Sequence, residues 1–335
     1  MHLFGFRRYR QPFRQPVRTA HGIWTEREGL LLRLENKTGV VTFGEVAPIN
    51  WFGTETVDEA EAVCRGFGER VGADVLASIP ERLVCLRFAL SSALDSCGAD
   101  DFESKKALPV AALLPTGRAA LAQVELKVEA GFRTFKWKVG VADIGEELPL
   151  LDDLIAKLPE GSKLRLDANG AWDRRRAERW LERCAERPVE FIEQPIAADA
   201  KGAADLLLGL ANDYPTAIAL DESVVSAGDV TDWLERGWPG VFVVKPALLG
   251  DAAAVISRLE KAKAHVVFSS ALETAVGAKA ALRLAFAFGG EARALGFGVW
   301  PLFMDHRFDG PYQAPFIRPQ DVAAINEEAV WNALS

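Results

Sequence analysis

From residue 108 to 298 the chain repeats one unit: a short apolar run that reads as a strand, then an amphipathic stretch that reads as a helix. The runs are "LPVAALLP" (108–115), "FRTFKWKVG" (132–140), "KLRLDANG" (163–170), "VEFIEQP" (189–195), "AIALDES" (217–223), "VFVVKPALLG" (241–250), "HVVFSSALE" (265–273) and "ALGFG" (294–298). Between them lie helical patterns such as "RRRAERWLERCAER" (174–187) and "DAAAVISRLEKAKA" (251–264). Eight parallel-type strands at intervals of roughly 24–30 residues point to an α/β fold, a TIM-type (β/α)7β barrel spanning 106–299. A doubly wound open sheet is the alternative, because strand count alone does not establish closure.

Residues 1–105 read differently, as an α+β capping domain. "GLLLRLENKTGVVTFGEVAPI" (29–49) reads as a hairpin turning at "NKTG". Two helical stretches follow, 56–71 and 80–96, the second with proline at its start. The tail, 300–335, is rich in turn residues and is expected to pack back on the first domain.

The 335 residues, 49% of them hydrophobic, can bury a sizeable core. A net charge of −8 argues against nucleic acid as a partner, since phosphate binding needs a basic field. The basic N-terminus lacks the apolar segment of a secretory signal, and no apolar run is long enough to span a membrane. A cytoplasmic protein acting on a small molecule is expected. Cys64, Cys85, Cys97 and Cys184 are scattered and fit reduced, mostly buried thiols. No paired-histidine zinc motif, nucleophile elbow or nucleotide-binding glycine loop is present.

Charged residues instead sit near the ends of five successive strands: Lys136 and Lys138, then Arg165, Asp167 and Asn169, then Glu193, then Asp221 and Glu222, then Lys245. The C-terminal strand ends of such a barrel form its active site. One such charge is ordinarily a solvated rim residue or a helix cap. Five in order at the same terminus are hard to obtain by chance. Period two puts Lys136 and Lys138 on one face and Phe135 and Trp137 on the other. Asp167, Glu193 and Asp221 would converge as three carboxylates, and their mutual repulsion calls for a hard divalent cation, Mg²⁺ or Mn²⁺. A flanking lysine serves as a base when burial, a metal or a second ammonium lowers its pKa from about 10.4. Together these groups equip the site to remove a proton α to a carboxylate.

The segments "KWK", "LDAN", "IEQP", "LDES" and "VVKP" resemble the enolase superfamily, muconate-lactonizing branch, which places lysines beside a divalent cation. More narrowly, "TAHGIWTEREGLLLRL", "FGEVAP", "LRFALSSAL", "RLDANGAW" and "FSSALETAVG" are similar to the o-succinylbenzoate synthase family. That resemblance implies syn dehydration of 2-succinyl-6-hydroxy-2,4-cyclohexadiene-1-carboxylate to 2-succinylbenzoate, in menaquinone or phylloquinone biosynthesis. It implies Lys138 as the base that then protonates the departing hydroxyl. Lys245 would stabilise the enediolate, and Lys136 would tune its neighbour. Asp167, Glu193 and Asp221 would hold one Mg²⁺ or Mn²⁺, with Glu222 and Asn169 behind them or touching substrate. Arg165 would lie over the substrate ring, Ser269 and Ser270 would hold the succinyl carboxylate, and the 18–24 loop would close over the site. His21 in that loop is either a substrate contact or an exposed histidine. Related members racemise N-succinylamino acids or epimerise dipeptides. A non-catalytic barrel would have lost a lysine or a carboxylate, and none is missing.

Overall fold

The computed structural model describes residues 1–19, 22–95, 105–291, 293–311 and 314–334. Its first layer is an antiparallel sheet in the order β3-β2-β1-β4, made of β1 (His2–Thr19), β2 (Gly22–Glu35), β3 (Val41–Val46) and β4 (Arg70–Val71). The β2–β3 turn falls at the expected "NKTG", where Asn36 Oδ1 accepts from the Thr38 and Val40 amides at 2.9 and 3.0 Å. The long strand β1 is the element the sequence pattern does not announce. Its arginines and two prolines disguise it, yet it pairs along β2 from Leu3–Glu35 to Thr19–Gly22. Arg8 and Arg10 lie on the wet face, where Arg8 bonds Glu28, Asp58 and Glu61.

Helix α1 (Val57–Gly66) starts with a capping box between Thr56 and Glu59. It stops short of the expected 71 because Gly68 turns left-handed and Arg70–Val71 pair with β1 as β4. The expected 80–96 helix begins only at Val84, as α3 (Val84–Asp95); a short α2 (Val75–Ser78) precedes it, and Pro80 lies between the two rather than in a first turn. Helix α3 buries Leu86, Phe88, Ala89 and Leu90 against β3. At that crossing a Cβ on Gly44 would stand 2.0 Å from the Ala89 carbonyl oxygen, so the residue must be glycine.

Chain 108–115 then splits. β5 (Leu108–Pro109) pairs with β13 (Phe316–Ile317) of the tail, and β6 (Ala112–Leu114) opens a parallel sheet. That sheet continues through β7 (Thr134–Lys138), β8 (Lys163–Asp167), β9 (Val189–Glu193), β10 (Ile218–Leu220), β11 (Val241–Val244) and β12 (His265–Phe268). Its seven strands curl in sequence order. The helices between and after them are α4 (Ala119–Glu129), α5 (Ile144–Ala156), α6 (Arg174–Cys184), α7 (Ala203–Asp213), α8 (Ala227–Glu235), α9 (Ala252–Lys261) and α10 (Ala275–Ala287). The expected eighth strand, 294–298, forms no ladder of its own. Leu295 and Gly296 instead make isolated parallel bridges to Val110 and Ser269, contacts to both edges of the curled sheet.

Strand alternation divides the core. Phe191, Ala219, Val241, Val243 and Val267 fill the inside of the curl. Trp137 turns outward beneath α6, its ring 6.5 Å from that of Trp180, which stacks on Trp172 at 5.2 Å. After β13 come α11 (Pro319–Ala323) and α12 (Glu327–Asn332), and the latter returns to the first sheet. There Arg7 donates to the Trp331 carbonyl at 2.7 Å and lies over its ring. Cys64, Cys85 and Cys184 are buried free thiols, and burial pushes Cys64 and Cys184 up to about 12. Cys97 lies outside the described residues. No helix among the described residues is long and apolar enough to cross a membrane.

Gly44→Ala should separate β3 from α3, because the added methyl meets backbone rather than a movable side chain. The expected loss is on the order of 3 kcal/mol, as in overpacked cores, and is measured by urea or thermal unfolding. A variant as stable as wild type would refute the close approach.

Candidate active site

Five of the seven parallel strands carry charges at or just past their ends, on the side that faces the inside of the curl. β7 delivers Lys136 and Lys138, and its turn is held by a buried carboxylate. Glu147 accepts from the Gly140, Val141 and Ala142 amides at 2.8, 3.1 and 3.1 Å. Gly140 is left-handed and packs against Trp172, which fixes where the strand stops. Lys138 pairs in register with Asp167, and the next amide, Val139, donates to the Asp167 carbonyl at 2.8 Å.

Lys136 lies between two neighbouring strands. Its Nζ is 2.8 Å from Asp167 Oδ2 and 2.7 Å from Glu193 Oε1. Burial alone would lower the Lys136 pKa, but Asp167, Glu193 and Asp221 outweigh it and leave the ammonium strongly favoured. Lys245, just past β11, forms an ion pair with Asp221, and its Nζ is 4.8 Å from the centre of the ring of Phe52, in the turn after β3. The three carboxylates therefore share one lumen as expected, but not one point, since Lys136 and Lys245 stand among them. No group of three or more metal-ligating side chains is preassembled around a single point among the described residues.

Burial pushes the Glu193 carboxyl up to about 8, opposed by Lys136 and Lys245 and reinforced by Asp167 and Asp221. Burial likewise pushes Glu222 up to about 7, with Asp221 beside it. Four carboxyl groups against three lysines leave the site short of positive charge. A hard divalent cation meets that deficit, and oxygen donors on three adjacent strands suit it. The residues present thus fit such an ion.

Asn169 links these acids to the next turn. Its Nδ2 donates to Glu222 Oε1 at 3.1 Å and its amide to Asp167 Oδ1 at 3.1 Å. The residue sits at φ +44°, a left-handed position that asparagine tolerates. Gln194 is the positioning residue that sequence reasoning passed over. Fully buried, its Oε1 accepts from the Asp221 and Ser223 amides at 3.0 and 3.2 Å. Its Nε2 donates to the Ile196 carbonyl and Ser223 Oγ at 2.8 and 2.7 Å. The available signal was its place directly after Glu193 in "IEQP". Phe52 has no signal in the sequence, since only the fold brings the Asn50–Phe52 turn over Lys245.

Arg165 shares the inner face, where its guanidinium lies 4.9 Å from the centre of the Phe191 ring. Its Nε donates to Glu190 at 2.7 Å and its Nη1 to the Ala294 carbonyl at 2.7 Å, one layer below the acids. Arg293 reaches the same Glu190 at 3.0 Å, so this group closes the floor. Burial would raise Glu190, but Arg165, Lys163 and Arg293 hold its carboxyl below the ordinary glutamate value. Ser270 departs from expectation. Its hydroxyl donates to Glu273 at 3.0 Å and accepts from the Leu272 amide at 2.9 Å, so it builds its own turn instead of presenting an oxygen to the lumen. Ser269 keeps to the inner face, with one long bond to the Gly296 carbonyl at 3.4 Å. His21 lies outside the described residues.

A curled parallel sheet under an antiparallel cap, with lysines on two strands flanking carboxylates on three, has the fold and site layout of the enolase superfamily. Residues 119–315 match the family model described as enolase C-terminal domain-like. An o-succinylbenzoate synthase of Thermosynechococcus vestitus is 43% identical over 299 residues, 88% of this chain and 91% of that protein. The crystal structure of o-succinylbenzoate synthase from Thermosynechococcus elongatus BP-1, complexed with Mg in the active site, superposes with a TM-score of 0.86 at 39% identity, covering 99% of each chain. N-succinyl Arg/Lys racemase from Bacillus cereus shares the fold with a TM-score of 0.83 at 16% identity, over 99% of this chain and 98% of that one. The chain belongs to the o-succinylbenzoate synthase family.

Beside the lumen, burial pushes the Glu273 carboxyl up to about 7 from an ordinary 4.5, with Glu45 adding repulsion. The folded chain therefore holds a proton that the unfolded chain releases between those values. Stability from this group is complete below about pH 4.5 and is lost as pH rises to about 7, on the order of 3 kcal/mol in all. Glu273→Gln should flatten that decline relative to wild type, as measured by thermal midpoints between pH 4.5 and 8. Parallel curves for the two proteins would show that Glu273 does not carry the proton.

Proposed function

We propose that this protein is an o-succinylbenzoate synthase that dehydrates 2-succinyl-6-hydroxy-2,4-cyclohexadiene-1-carboxylate to 2-succinylbenzoate, a step of menaquinone or phylloquinone biosynthesis. The observation that carries the reading is the lysine pair on β7 set beside carboxylates on three adjacent strands. Lys136, as an ammonium, bridges Asp167 and Glu193, and Lys138, in register with Asp167, is the proton-transferring lysine of that strand. Its neutral amine removes the proton α to the ring carboxylate, and the electron pair moves into the carboxylate to give an enediolate. The same Nζ, now an ammonium, returns the proton to the departing hydroxyl on the same face, so water leaves and the ring becomes aromatic. Lys245, two strands beyond Glu193, offers a fixed positive charge to the enediolate from the other flank.

Asp167, Glu193 and Asp221 would hold one Mg²⁺ or Mn²⁺, with Glu222 and Asn169 bracing them from behind. When bound, that ion supplies the positive charge that meets the growing charge on the substrate carboxylate. Ser269 and the neighbouring amides would face the succinyl carboxylate. We read the curled sheet as a (β/α)7β barrel whose eighth position is the 294–298 segment. The catalytic unit is 106–299, and 1–105 with 300–335 forms the cap.

Incubation with the cyclohexadiene substrate and Mg²⁺ should give the absorbance of the aromatic product. Lys138→Ala should lower kcat by a factor of about 10³ or more, as loss of an acid–base group does. Removing divalent ions with EDTA should abolish turnover, with recovery on adding Mg²⁺ or Mn²⁺. Wild-type rates in Lys138→Ala would exclude Lys138 as the base, and indifference to EDTA would exclude the ion. With N-succinylamino acids in D₂O, exchange of the α-hydrogen without dehydration of the cyclohexadiene would identify a racemase instead.

A further inference from the structure

A second charged cluster lies at the junction of the cap and the parallel sheet, and none of its members contacts the three proposed ion ligands. Arg27 of β2 is 1% exposed and donates only to carbonyl oxygens. On the cap side these are Ala47 and Pro48, both at 2.5 Å, and Glu28 at 3.4 Å. On the sheet side they are Leu272 at 3.1 Å and Ala271 at 3.4 Å. The guanidinium also lies 5.0 Å from the centre of the Trp24 ring, and Trp24 packs edge-on against Trp51 at 4.8 Å. A buried cation without a hydrogen-bonded carboxylate is costly unless its donors are used fully, and here every Arg27 nitrogen finds at least one carbonyl.

The two segments it joins both border the lumen. Residues 47–48 lead directly into Asn50–Phe52, which brings Phe52 over Lys245. Residues 269–272 leave the end of β12, and Leu272 is left-handed at φ +58°, a conformation that costs a non-glycine residue energy. Glu273 holds the same turn from inside, accepting from Ser270 Oγ and the Ala271 amide at 3.0 and 2.5 Å. Glu45 of β3 anchors the helix that follows. It accepts from the Thr274 amide at 2.9 Å and the Gly277 amide at 2.7 Å at the start of α10, and from Tyr9 Oη at 2.5 Å.

We propose that Arg27 is a positioning residue, one guanidinium that sets the cap segment carrying Phe52 and the 269–272 turn in a single relative placement around the substrate. The consequence for substrate rests on the functional reading above, in which the backbone of this turn faces the second carboxylate. The link between the two segments does not rest on it.

Arg27→Met and Arg27→Lys are compared with wild type and with Lys279→Met, which cuts a 2.8 Å ion pair between α10 and Glu327 of the tail. Amide hydrogen exchange of peptides covering 47–52 and 269–274 is read first, without substrate. Faster exchange in both peptides of the Arg27 variants, and in neither peptide of Lys279→Met, is expected. KM for the cyclohexadiene substrate should rise about tenfold in Arg27→Met and less in Arg27→Lys, with kcat within about threefold, since positioning is lost while the reacting groups stay. Lys279→Met should keep the wild-type KM even where its melting point falls. Unchanged exchange in Arg27→Lys, or a wild-type KM in both Arg27 variants, would overturn the proposal. If Arg27→Met does not fold, Arg27→Lys decides alone. Should the wild type not dehydrate the substrate, the functional reading fails and the exchange comparison still decides the link.

Discussion

One ammonium ties together the strands on which the site is built. Lys136 on β7 bonds Asp167 on β8 and Glu193 on β9, so a single buried cation cross-links three adjacent strands at the end where their carboxylates crowd. An ion pair in that position is weak as a source of stability, because desolvating its members costs several kcal/mol each. Its effect is placement. Once the inner face is committed to charge, every charge must have its opposite within reach, and the register of β7, β8 and β9 is the one that provides this. The elevated Glu193 carboxyl shows how close the balance is, since burial and the acids around it together outweigh the two lysines.

The layers below and above follow from the same requirement. Beneath the acids the lumen is apolar, and Arg165 crosses it with its Nε met by Glu190 and its Nη1 by the Ala294 carbonyl. That floor also contacts the chain entering the 294–298 segment, which has isolated bridges rather than a ladder. Arg165 is thus used to close the bottom of the sheet, where a residue reaching for substrate would have left Glu190 buried without its nearest counter-charge. Above the acids, backbone at the strand ends is fixed by side chains that accept or donate several bonds at once. Glu147 does this for β7 and Gln194 for the turns after β9 and β10. Asp167, Glu193 and Asp221 are therefore aimed by local bonding at each strand end.

Sequence legibility follows the range of the interactions. The strand–helix repeat and the inward lysine and carboxylate faces were readable because both depend on periods of two and 3.6 within one element. Helix starts such as Thr56 were readable for the same reason. What was not readable depends on a partner distant in sequence. β1 is marked as a strand only by β2 and by the acids that pair with its arginines. Pro80 looked like a helix start, yet the chain makes another turn before α3 begins. Arg165 obeyed its period, but which way along the lumen its long side chain leans was decided by Glu190, twenty-five residues on. Ser270 is a substrate contact by family resemblance alone, and no local pattern shows that Glu273, three residues later, claims its hydroxyl.

The same distinction separates the two halves of the site. Acids and lysines on neighbouring strands hold one another through contacts that the sheet already enforces. The cap has no such register with the sheet. It meets the lumen through Phe52 and is joined beneath by buried polar bonds, Glu45 to the start of α10 and Arg27 to the turn before it. Gly277 lets this approach happen, since a Cβ there would stand 2.9 Å from Glu45 Oε2. A carboxylate that accepts helix amides and a guanidinium that donates to carbonyls tolerate little displacement, because each would leave several buried groups unpaired at once. Apolar contact alone would let the cap slide over the strand ends, whereas these bonds allow it one seat. The part of the site that the sheet cannot position is therefore positioned by the buried polar groups that the reaction itself does not use.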